Sequence, residues 1–147
     1  MANKIIHIGT GTEPLPRSGV IDSQDFETAV GTTHTTPVVS TQQSGVDDLL
    51  IIIDFTKIGS APSVVFTIKG VAFPNGPDGA PVVWTILASA AVTSTGVTVL
   101  HVSDTMPNVT NVTAQDVVPD FFEVVCTHGS SPTGDACKYT ITAVLAP

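Results

Sequence analysis

Residues 48–55 read Asp-Leu-Leu-Ile-Ile-Ile-Asp-Phe, with five apolar side chains in succession. Successive side chains of a strand point to opposite faces. Leu49, Ile51, Ile53 and Phe55 therefore share one face, and Leu50, Ile52, Asp54 and Thr56 share the other. With both faces apolar, the run predicts a central strand covered on each side. Asp54 sits inside it either as a solvent-facing residue near the strand end or as an interface residue.

The rest of the chain agrees with an all-β reading. Val and Thr each occur 21 times, and β-branched residues suit a pleated surface better than a helix. Twelve Gly and eleven Pro punctuate the chain. Val64, Phe66 and Ile68 alternate with Val65, Thr67 and Lys69. Val82, Trp84, Ile86 and Ala88 form another apolar face, which assigns Trp84 to core packing. The turn-rich segment Phe73–Pro81 joins these two runs as a hairpin. Residues 97–102 predict a strand whose buried face is ambiguous. Residues 104–119 read as a long connection, in which Asn108 and Asn111 serve as turn residues rather than glycosylation sites. Phe122, Val124 and Cys126 share one strand face, as do Cys137, Tyr139, Ile141, Ala143 and Leu145. At least six strands after residue 47, with turns at regular spacing, predict an antiparallel β-sandwich over 47–147.

Residues 1–46 have a different texture. Residues 9–19 show neither the helix nor the strand period and contain two prolines. Residues 21–30 are irregular or weakly helical at most. Residues 31–41 are Thr-rich, and Pro37 limits them to an edge strand. The segment is expected to be an extended N-terminal arm with an edge strand. It is either a partly ordered tail or an arm lying across a neighbouring subunit.

Charge narrows the partners. The net charge is -8 and charged residues make up 12% of the chain, about half the usual share. An acidic surface is repelled by phosphate backbones and by anionic membranes, so neither nucleic acid nor membrane is an expected partner. The first nine residues carry one Lys and a short apolar stretch, and no secretory signal is read there.

No catalytic constellation is present, and the expectation is a binding or structural module without cofactor or metal. His7, His34, His101 and His128 lack metal-ligand spacing. His101-Val102-Ser103-Asp104 sets triad residue types along one strand, whereas a working triad converges in space. Asp47-Asp48 and the Asn75/Asp78 loop supply too few oxygens for calcium. If the last two strands form a hairpin, pairing Val124 with Tyr139 also pairs Cys126 with Cys137, within disulfide reach. The alternative is two buried thiols acting as small hydrophobes.

Several runs carry a family resemblance: Asp48–Phe55, Pro62–Val71, Trp84–Ser89, Thr95–Val102, Phe122–His128 and Tyr139–Ile141. Together, over residues 47–146, they resemble the small β-sandwich structural proteins of tailed bacteriophages known as head decoration or minor capsid proteins. The Pro74–Pro81 loop is longer than in that pattern, and the first forty residues lie outside it. The resemblance implies a virion protein made in the bacterial host cytoplasm. Its place would be the outer capsid surface, where it reinforces contacts between major capsid subunits. The implied partners are the major capsid protein and copies of itself, a homotrimer being one form. A tail or baseplate component and a glycan-binding adhesion module are the alternatives. The interface is expected at Ile5, Ile6 and Leu15 of the arm and at Leu50 and Ile52 on the second face of the central strand.

Overall fold

The computed structural model describes residues 5–8, 14–26, 32–41, 45–58, 63–76, 78–129 and 136–147. Among these residues there are eleven strands and no helix. They are β1 (Ile5–His7), β2 (Arg17–Phe26), β3 (Thr33–Thr35), β4 (Val38–Ser40), β5 (Asp48–Ile58), β6 (Val64–Ala72), β7 (Val82–Ala88), β8 (Gly96–Ser103), β9 (Thr113–Gln115), β10 (Phe121–His128) and β11 (Cys137–Ala146). One sheet runs β1-β4-β10-β6-β7, with β3 also on β10; the other runs β2-β11-β5-β8-β9. The two form a sandwich. Both sheets are mixed rather than purely antiparallel, because β1 pairs parallel with β4 and β8 with β9.

The central-strand expectation for residues 49–56 holds, and the strand runs from Asp48 to Ile58. β5 lies between β11 and β8, and their inward side chains form continuous rows: Leu145, Leu49 and Val102; then Ala143, Ile51 and Leu100. All six are fully buried. The facing sheet contributes Val64, Phe66, Ile68, Phe122, Val124 and Cys126, also at 0% exposure. Removing each large side chain of this kind from water contributes about 1.5–3 kcal/mol. The rings of Phe55, Phe66 and Tyr139 meet where the sheets face each other. Tyr139 lies 5.4 Å from Phe55 and 5.1 Å from Phe66, the latter edge-to-face at 86°.

The described residues of the 1–46 segment include four strands, which pair into both sheets. β2 pairs along its length with β11, while β1, β3 and β4 join the other sheet. The strand period of β2 is hidden because its pairing with β11 shifts register between Ile141 and Thr142. Ile21 is buried before the shift, and beyond it Asp22, Gln24 and Phe26 are the partly covered residues. Within residues 32–41, β3 has β10 on one side, whereas β4 lies between β1 and β10 and is not an edge strand. Pro37 has no N–H to give to a ladder, and the segment splits there into β3 and β4. Thr36 bridges the gap: its N–H donates to the Val124 carbonyl, and its Oγ1 accepts the Val124 N–H at 3.0 Å.

Two further expectations need correction. β10 and β11 do not form a hairpin. β10 pairs with β6, β3 and β4, and β11 pairs with β2 and β5, so the two belong to opposite sheets. Their apolar faces match because they meet across the core, not side by side. Trp84 is not a core residue; it is 42% exposed. The register of β7 slips against β6 between Ile68 and Lys69, setting Trp84 opposite Gly70 on the outermost strand of its sheet. The indole lies flat on Gly70, where any Cβ would overlap the ring.

Gly70→Ala therefore has no room without lifting the indole. Overpacking of this kind costs about 1–3 kcal/mol. The expected outcome is a urea midpoint lowered to match, with emission of the single tryptophan shifted to the red in the folded state. Unchanged emission and stability would contradict the Gly70–Trp84 contact.

Candidate functional site

Several apolar side chains outside the core lie on the outer face of the five-stranded sheet, while others are exposed on β7 and between β8 and β10. Across that face Val20 lies opposite Thr142, Thr142 opposite Ile52, and Ile52 opposite Val99. The row on one side is Ser18, Val144, Leu50 and His101; the row on the other is Ser23, Thr140, Asp54 and Val97. Four strands at about 4.8 Å spacing make this face about 15 Å wide. Val20 and Val97 are more than 60% exposed and Val99 is 42% exposed, while Leu50, Ile52 and Val144 are half-buried. Single exposed apolar residues are ordinary, but a contiguous set marks an interaction surface.

Of the five residues expected at an interface, Leu50 and Ile52 lie on this face. Ile6 and Leu15 instead pack against the chain's own core, and Ile5 is half-buried in β1. Val20, Val97 and Val99 were not singled out by the pattern. For Val97 and Val99 the alternation was visible but not which face was buried, and Val20 stands in a strand whose period is masked. Asp54 is exposed on the same face. At its border His101 Nε2 lies 3.1 Å from Asp48 Oδ1. Asp104 is exposed, and the Ser103 hydroxyl bonds to Thr105 at 3.1 Å, so the His101–Asp104 run does not converge. Among the described residues no group of three or more His, Cys, Asp or Glu could hold a metal ion.

A second cluster closes one end of the sandwich. Asp22 Oδ2 pairs with His34 Nε2, and its Oδ1 accepts from Gln24 Nε2 at 2.8 Å. Phe26 stands edge-on to both His34 and His128. His128 Nδ1 lies 2.9 Å from the Thr32 carbonyl, so that nitrogen carries the proton. His128 Nε2 then accepts from the Tyr139 hydroxyl at 3.2 Å. Burial, opposed by the bond to Thr32, holds His128 below its ordinary 6.5. Burial also pushes the Cys126 thiol up to about 12 and raises the Tyr139 hydroxyl. Cys126 and Cys137 are both fully buried here as thiols. Such groups are poor nucleophiles at neutral pH, and the cluster is a satisfied polar plug rather than reactive machinery.

The molecule thus belongs to the class of all-β proteins built as two facing mixed sheets, here with six apolar side chains among the polar ones of one outer face. No family model matches the chain, and no curated protein matches it. Among solved structures, one of infectious bursal disease virus, Gt strain, aligns with TM-score 0.43 and 17% identity over 90% of this chain. Another, of the Gx strain, aligns with TM-score 0.42 and 15% identity, also over 90%. In each case the chain spans about a third (33%) of the length of the virus chain it matches.

Two outcomes follow from the polar end. An unfolded histidine binds a proton near pH 6.5, and folded His128 resists it, so the unfolded state binds more protons below that pH. His128 thus makes stability fall as pH drops through 6.5. The urea midpoint should be lower at pH 5 than at pH 7.5, with a smaller difference in His128→Gln. Separately, native protein should leave both thiols unreactive toward an aromatic disulfide reagent at neutral pH, and unfolding without reductant should reveal two. Finding none after unfolding would show a disulfide between Cys126 and Cys137.

Proposed function

We propose that this protein is a structural virion component that binds the outer surface of a bacteriophage capsid and reinforces contacts between major capsid subunits. The observation that carries the reading is the contiguous apolar face of Val20, Leu50, Ile52, Val97, Val99 and Val144. A strand face of this kind buries well against a flat protein partner, and the β-branched residues on it lose little side-chain entropy when they are covered. The resemblance of residues 47–146 to head decoration proteins supplies the partner. The net charge of -8 favours the outside of the shell over its DNA-lined interior.

The mechanism is linkage. A protein that binds the assembled shell and not its separated subunits stabilises the shell, by about 2.7 kcal/mol per site at a hundredfold excess over Kd. Many copies on a symmetric lattice add their contributions. Self-association, as a trimer around a local symmetry axis, multiplies the contacts each unit makes. A tail or baseplate position would use the same face on a different connector.

The test is imaging of the particle together with binding to purified shells. Density on the outer head surface, with the β2-β11-β5-β8 face against the major capsid protein, is the expected result. Val99→Asp, at an exposed position, should keep the far-UV spectrum of a β protein and weaken cosedimentation with shells about tenfold. Density confined to the tail, or unaltered binding by Val99→Asp, would count against this reading.

A further inference from the structure

A groove opens at the outer edge of the other sheet, where β7 ends the row of strands. It encloses about 440 Å³ and is lined chiefly by Phe73, Trp84, Val117 and Phe121, with Asp116 and Asp120 beside them. One face of the Trp84 indole is pressed onto Gly70, which fixes the ring, and much of the rest is exposed. Phe73 and Phe121 form an edge-to-face wall, with centroids 5.2 Å apart. Val117, at 72% exposure, is the most exposed large apolar residue among those described. The groove is thus a rigid aromatic slot already built before anything enters it.

Its charge decides what enters. The two carboxylates are its only charged side chains, and no Lys or Arg lines it. Asp116 Oδ1 accepts the Val117 N–H at 2.8 Å, which leaves Oδ2 for another donor. The Asp120 carboxylate makes no hydrogen bond among the described residues. Sugar hydroxyls also donate to carboxylates, but two carboxylates with no Lys or Arg beside them favour a ligand that carries a full positive charge. A second copy of the chain carries five Lys and Arg against thirteen Asp and Glu, so it offers few cations to such a slot. A cationic head on an apolar stem satisfies every wall: the stem lies along Phe73 and Val117, the charge sits over the indole face, and the carboxylates accept its N–H groups.

We infer that this groove receives an arginine or lysine side chain of a protein partner. That the partner is a shell protein rests on the reading above; the chemistry of the slot does not.

The test uses the single tryptophan. Intact protein is titrated with acetyl-Gly-Arg-Gly-amide, with the citrulline peptide of the same shape, and with glucose and galactose, while Trp84 emission and its indole N–H resonance are followed. The expected result is a saturable change with the arginine peptide that weakens with salt. Asp116→Asn/Asp120→Asn, both at exposed positions, should bind it about fivefold more weakly at an unchanged urea midpoint. No response to the arginine peptide, an equal response to citrulline, or a response to the sugars alone would overturn the inference. Arginine binding by a protein that does not bind shells would uphold the slot and remove the capsid reading.

Discussion

The contact among Phe55, Phe66 and Tyr139 ties the two sheets together, and the rest of the molecule is arranged around it. Each ring comes from a strand with neighbours on both sides: β5 and β11 in one sheet, β6 in the other. With the rings fixed, alternation decides every other residue's side. Leu49, Ile51 and Ile53 must point inward with Phe55, and so Leu50, Ile52 and Asp54 must point outward. The exposed apolar face is thus not an independent decoration. It is the other half of a strand whose first half is committed to the core.

This dependence explains how much could be read from the chain. Residues 49–56 were legible because apolar side chains on both faces admit few placements other than mid-sheet. The runs 64–68, 122–126 and 137–145 were legible from apolar residues recurring at every second position. What could not be read is pairing. Cys126 and Cys137 have matching apolar phases whether their strands sit side by side or face to face, since both arrangements bury the same residues. Sequence neighbours often pair, but here β11 joins β5 and β2 instead. Trp84 shows a second limit: its phase with Val82 and Ile86 is real, but one slipped residue and an edge position turn an inward pattern into an exposed ring on Gly70. In β2 a bulge hid the period altogether, so a ten-residue strand read as irregular.

The two ends of the sandwich divide the polar work. At one end Asp22, His34, His128 and Tyr139 meet each other's hydrogen-bonding needs, so the core closes without an unpaired group among these four. At the opposite sheet edge, Asp116 and Asp120 keep unused acceptor capacity beside exposed aromatic rings. The first arrangement specifies how the sheets sit; the second is open to another molecule. The same residue types serve both ends, and only the presence of internal partners separates structure from recognition.

β11 has a further consequence for how the molecule comes into being. It leaves the ribosome after β2, β5, β8 and β9, yet it stands between β2 and β5, the first long strand and the central one. Until it arrives, β2 has no neighbour and one long edge of β5 is unpaired. The five-stranded sheet therefore closes after its other strands have been made, and the growing chain must keep an apolar strand edge from pairing elsewhere.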